Sequence, residues 1–205
     1  MKNQSVAILF VMLFLGMAST GFSQVRFGVK AGLNLANISG DDVGDTKMLP
    51  TFLVGGQAEF GLAENLGLGV GLQLSGKGFK VSDDFLEEDL KYSVMYIQVP
   101  VLLQYRNSGF FAGVGPYVGF AISGKAKAGG ESISLEFGNT EDDDLAPLDF
   151  GAGLELGYEF SNIRATASYN LGLANIVPKD IADAEDVSAK NTVIGIAVAY
   201  LFGGE

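Results

Sequence analysis

The residues with the capacity for chemistry are charged side chains that recur at even spacing. Glu155 and Glu159 lie four apart in an alternating stretch and share a face with Asp149. Two carboxylates on one face can divide the roles of general acid and general base. Arg26, Lys30, Glu59, Lys77 and Arg164 hold equivalent polar positions in other alternating stretches. The eight form a balanced set, four cations against four anions, and pairing with Arg164 or Lys30 is the simpler expectation for Glu155 and Glu159. The chain of 205 residues has no His and no Cys. That removes Ser-His-Asp hydrolysis, His-dependent lipase chemistry, thiol chemistry, disulfides and zinc held by His or thiolate. No catalytic, cofactor-binding or metal-ligating residue is assigned, and the chain is expected to be non-enzymatic.

A second group of acids lies in polar runs: Asp41, Asp42 and Asp45; Asp83, Asp84, Glu87, Glu88 and Asp89; Glu131, Glu136 and Glu141 to Asp144; Asp180, Asp183, Glu185 and Asp186. Oxygen ligands at this density suit Ca²⁺ or Mg²⁺. None of the runs has the Asp-x-Asp-x-Asp-Gly spacing of an EF-hand, and solvated loops are the expectation. A net charge of −11 argues against nucleic-acid partners, because phosphate neutralisation needs Lys and Arg. The glycine pairs such as Gly113 and Gly115 fall inside strands, without the helix a dinucleotide site requires.

The elements that must position these charges read as β-strands. The stretch around which the chain is organised is 96–120, a hairpin with a turn signal at 106–109, RNSG. Further strands are expected at 25–35, 51–62, 66–80, 148–160, 163–173 and 191–202. In each, one face is apolar without charge, as with Leu148, Phe150, Ala152, Leu154, Leu156, Tyr158 and Phe160. The other carries glycine, amides and the eight charges. Loops are expected at 36–49, 82–90, 123–146 and 174–189. Connections thus alternate long and short.

Eight strands of about ten residues, with that alternation, fit an up-and-down transmembrane barrel. In lipid every backbone group must be paired, so strands have to close. Two features place the apolar face outside. Phe27, Phe60, Tyr105, Phe110, Tyr158, Phe160, Tyr200 and Phe202 cluster near the short-turn end, as an interfacial girdle does. Glycine on the polar face suits a narrow interior, where an eight-stranded barrel is just wide enough for its side chains. Charges inside it would pair with one another. Residues 1–23 have the grammar of a cleaved signal peptide: Lys2, an apolar run over 6–18, and small residues at 21 and 23. The mature barrel domain is then 24–205.

The chain resembles the outer-membrane β-barrel family that includes the PorT-like proteins of Gram-negative bacteria. The resemblance rests on FGVKAGLN (27–34), LSGKGF (74–79), YIQVPVLLQY (96–105), GPY (115–117), DFGAGLELGY (149–158) and YNLGLANI (169–176). It implies an all-β, eight-stranded antiparallel barrel in the outer membrane, inserted by the barrel-assembly machinery. That machinery usually reads a C-terminal aromatic, and here Phe202 is followed by Gly203, Gly204 and Glu205. Some relatives contribute to protein secretion or gliding. The expected role is a structural, accessory or binding component of an outer-membrane assembly, with lipid and lipopolysaccharide as surroundings, loops outside and both termini periplasmic. Two alternatives are a small passive porin and a soluble periplasmic lipocalin-like carrier; the absence of Trp argues against the second, whose first strand usually carries Gly-x-Trp.

Overall fold

The computed structural model describes residues 25–40, 43–81 and 90–203. The expected signal peptide lies outside the described residues, as do Asp41, Asp42, Asp83, Asp84, Glu87, Glu88 and Asp89.

Among the described residues, nine strands and one short helix follow in order: β1 (Val25–Ser39), β2 (Thr46–Gly61), β3 (Leu66–Val81), β4 (Leu90–Asn107), β5 (Phe110–Ala128), β6 (Glu131–Ser134), β7 (Leu148–Phe160), β8 (Ile163–Gly172), α1 (Lys179–Glu185) and β9 (Lys190–Phe202). Eight of the strands pair antiparallel with their neighbours in the chain, and β1 pairs with β9 to close the ring. The four-residue β6 stands outside the ring as a hairpin partner of the upper part of β5. Closure satisfies the backbone polar groups that an open edge would leave bare in lipid.

The pleat decides the two faces. Along β1, Phe27, Val29, Leu33 and Leu35 are exposed while Lys30, Asn34 and Ala36 are buried. Along β7, Asp149, Gly151 and Gly153 are buried between exposed Leu148, Phe150, Ala152 and Leu154. Leu72 is 61% exposed and Asp149 0%. A soluble carrier has the opposite arrangement, with apolar side chains inside, so the lipocalin-like alternative is set aside. The girdle residues near the short turns face outward; Phe27 and Phe202 stack with ring centroids 6.5 Å apart. A sparser set, Phe52, Phe120 and Phe150, is exposed nearer the other end.

The strands run further than the apolar alternation. The loop expected at 36–49 shrinks, because β1 reaches Ser39 and β2 starts at Thr46. Within 123–146, β5 continues to Ala128 and β6 follows. Within 174–189 there is a seven-residue helix. These extensions lie beyond the apolar band, where strands need not alternate apolar with polar. Two pairings slip by one residue at the edge of that band: in β2 between Met48 and Leu53, and in β5, where Met95 faces Ser123 and Tyr96 faces Ala121, leaving Ile122 as the extra residue. Such bulges absorb one residue and sharpen the local twist.

The long connections are held in place by their own contacts. Leu135, Phe137 and Leu145, from the β5–β7 connection, cover Val94, Tyr96 and Ala121. Ala146 N–H donates to Ile176 and Asp180 N–H to Asn139, tying the β5–β7 connection to the β8–β9 connection. At the opposite end the β4–β5 turn is two residues, Ser108 (φ 50°) and Gly109 (φ 85°). Two successive positive φ values match the right-handed twist of the strands they join. Gly109 is required twice over, since a Cβ there would come within 2.7 Å of the Tyr158 ring.

Candidate functional site: the charged lumen

All eight charged residues singled out above project from the inner wall, and the structure groups them in three layers. Nearest the short turns, Glu59 on β2 is the centre. Its Oε2 accepts from Arg26 Nη2 at 2.8 Å, Arg164 Nη2 at 3.0 Å and Arg106 Nη1 at 3.1 Å. Its Oε1 accepts from Arg164 Nη1 at 2.5 Å, Gln57 Nε2 at 2.9 Å and Gln104 Nε2 at 3.3 Å. Glu159 on β7 is the second acceptor: Oε1 takes Arg26 Nη1 at 2.5 Å, and Oε2 takes Arg164 Nη2 at 2.6 Å and Nε at 3.0 Å. The Arg164 guanidinium also lies 4.0 Å from the centre of the Phe111 ring. Planar forks of donors suit this shared, bidentate pairing.

In the middle of the lumen Lys30 on β1 pairs with Glu155 on β7. Cavities beside that pair measure only about 10 and 20 Å³, about the room of a single water.

Towards the long loops, Lys77 Nζ on β3 meets Asp149 Oδ2 on β7 at 2.7 Å, both side chains buried. Asn191 Nδ2 on β9 donates to the same oxygen at 3.1 Å, and the Tyr117 hydroxyl on β5 donates to Oδ1 at 3.4 Å. The ammonium lies 4.2 Å from the centre of the Tyr117 ring and 5.3 Å from that of Tyr96. Aromatic faces attract a desolvated cation. Asn34 Nδ2 bridges nearby to Ser75 Oγ at 3.1 Å and to the Gly76 carbonyl at 3.0 Å. Every strand of the ring supplies at least one side chain to these layers.

Sequence reasoning missed Arg106, which it assigned to the turn. The turn is one residue pair further on, and Arg106 is still on β4. It shares the inward parity of Gln98, Leu102 and Gln104, and that parity was a usable signal. With Arg106 counted, the lumen holds, among the described residues, five cations against four anions, so the expected balance is corrected by one positive charge. The uncharged partners Tyr117, Tyr96 and Asn191 carried no comparable signal, since an inward tyrosine or amide is ordinary filling.

The lumen has a vestibule of about 640 Å³ at the short-turn end, lined by Arg26, Arg106, Glu159, Glu64 and Asn65, among others. It ends on the Glu59 layer. What such an arrangement does chemically is hold oppositely charged strands together; each of the four carboxylates accepts from at least one cation.

Residues 17–177 match the family described as outer membrane protein beta-barrel domain. Comparison with curated protein sequences finds no match. Among solved structures, the chain is similar to Neisserial surface protein A, at TM-score 0.52 and 12% identity over 85% of this chain and 96% of that one. It is similar also to Ail, the attachment invasion locus protein of Yersinia pestis, solved with the heparin analogue sucrose octasulfate, at TM-score 0.50 and 15% identity over 87% of this chain and 99% of that one. At such identities the likeness is one of fold.

Proposed function

The chain belongs to the outer membrane protein β-barrel family, and on that premise we propose that it is a sealed, non-enzymatic barrel of the outer membrane. Its lumen is a strut of paired charges, and its long-loop end is a preorganised platform for an outer-membrane assembly, with protein secretion, a role of some PorT-like relatives, as the candidate task. In this reading the long loops face outward and both termini face the periplasm.

The observation that carries it is the occupied lumen. Between the vestibule and the loop-covered end, three layers of paired side chains span the bore, and the spaces beside the middle pair are of single-water size. A passive porin needs a continuous aqueous path, which eight strands rarely leave. The ties between the β5–β7 and β8–β9 connections support the platform, because a surface ordered before contact loses less entropy on binding.

Planar-bilayer recording of the refolded chain tests the seal. The expected result is no stepwise conductance above that of the lipid alone; reproducible single-channel steps would move the reading to a porin. A mild-detergent pull-down of the tagged chain from its native membrane tests the assembly role, a stoichiometric partner set being the expected outcome and a lone, heat-modifiable barrel the contrary one.

A further inference from the structure

The acidic loops hide a basic feature that only register reveals. Lys47 on β2 faces Lys80 on β3, Lys80 faces Lys91 on β4, and Lys91 faces Lys127 on β5. Four lysines therefore stand side by side across four adjacent strands, at the inter-strand spacing of roughly 4.8 Å. Lys125, two residues before Lys127, faces Ser93 and adds a fifth to the same face. Like charges directly opposite one another are unfavourable on a sheet. Among the described residues, none of the five makes an ion pair.

The row faces away from the lumen. Val94 and Tyr96 are buried inside, so Lys91 and Ser93, at the alternate positions of β4, lie on the outer wall, and register carries their partners with them. Between the lysines a shallow groove of about 300 Å³ is lined by Pro50, Ser93, Met95 and Ser123. Directly below, the same outer face becomes the exposed apolar wall of Leu74, Ile97, Phe120 and Ile122. The wall passes from apolar side chains through a groove to a line of ammonium groups, which is the order of acyl chain, linker and phosphate in a lipid.

We infer that this strip binds the phosphate groups of an anionic glycolipid in the surrounding leaflet, its acyl chains lying on the apolar wall beneath. The inference rests on the long-loop end facing outward, as proposed above. Basic residues just beyond the hydrocarbon region are attracted to anionic headgroups. The acidic groups nearest in the chain are Asp45, beside β2, Glu131, which faces Ala128 from β6, and the carboxylates of 82–89 between β3 and β4, which lie outside the described residues.

The test is native mass spectrometry of the full mature chain, folded in detergent and offered diphosphorylated lipid A, dephosphorylated lipid A, or inorganic phosphate. The comparison is with Lys80→Gln/Lys91→Gln/Lys127→Gln, whose positions lie outside the lumen layers. The wild type is expected to retain diphosphorylated lipid A about tenfold or more above the variant, with the two equal for the dephosphorylated lipid. Equal retention of the phosphorylated lipid by both, or wild-type binding indifferent to phosphate removal, overturns the inference. Binding matched by inorganic phosphate alone shows an adventitious ion only, and overturns the lipid assignment. Heat-modified gel mobility reports whether the variant has folded; should it fail to fold, wild-type retention must still fall with salt, and salt-independent retention overturns the inference. A barrel that conducts yet binds lipid A through these lysines refutes the seal and leaves the strip standing. Protease access to the loops in intact cells tests the orientation separately.

Discussion

Two charged layers share one lumen and are built on different plans. At the short-turn end Glu59 answers three guanidiniums, and Glu159 answers two of the same three. At the long-loop end Asp149 answers a single ammonium, walled by two tyrosine rings. The first layer is redundant: any one arginine can leave and both carboxylates keep a cation. The second has no spare: its one pair is 1% and 0% exposed, whereas the first layer grades from the equally buried Arg164–Glu59 pair, at 2% and 0%, out to Arg106 at 25%. A forked donor can be shared and a point charge cannot, so the choice of Arg in one layer and Lys in the other sets how each responds to damage.

The largest expected effect follows from breaking the layer without a spare. Asp149→Leu leaves Lys77 unpaired, and removing one partner of a buried ion pair costs roughly 3–5 kcal/mol. The measure is the shift in the urea unfolding midpoint of the barrel folded into lipid vesicles. Adding Lys77→Met should recover most of that loss; a double variant as unstable as the single would mean that the pair is not what Asp149 contributes. Next in size is Glu159→Gln, which strips Arg26 and Arg164 of one acceptor but leaves them Glu59. About 1.5–3 kcal/mol, the worth of a hydrogen bond to a charged group, is expected. A cost equal to that of Asp149→Leu would sink the argument from redundancy.

Smaller still is Arg106→Gln, the removal of the most exposed cation, held by one contact of 3.1 Å. Less than about 1 kcal/mol should be lost in the same titration, as for a partly solvated pair. A larger loss would show that the extra positive charge holds the layer together. The smallest effect lies outside the barrel wall, in the β5–β7 connection. There the Thr140 hydroxyl donates to Asp143 Oδ2 at 2.6 Å and the Thr140 backbone N–H at 2.9 Å, holding that carboxyl below the usual carboxylate range. A depressed carboxylate contributes stability above its unfolded pKa and loses it as pH falls through the folded value. Thr140→Val should move the Asp143 titration, followed by carboxyl NMR, up towards the ordinary value, with the lumen layers undisturbed.

The parts of this molecule governed by alternation could be read from the chain. Leu148–Phe160 shows its two faces in its own residues, and through it the barrel, its inversion and the inward course of Asp149, Glu155 and Glu159. What alternation does not encode is which residue stands beside which. Glu59 meeting Arg164 across 105 residues depends on closure, and the lysine row depends on the summed register of four strands. Lys125 and Lys127 have the same odd parity as the inward Phe111 and Tyr117, and only the slip at Ile122 turns them outward. The helix at Lys179–Glu185 and the short β6 sit in polar segments without an apolar period, so nothing in the residues announced them.

The unpaired Ile122 has a hereditary consequence. Because the bulge takes up one residue, the chain can lose that codon there and keep Met95 opposite Ser123 and Lys91 opposite Lys127. Elsewhere along β5 a change of reading length by one residue would turn every later side chain over. A bulge in the wall is therefore a place where the gene can change length without turning the strand over, and the outer chemistry beyond it is insulated from that change.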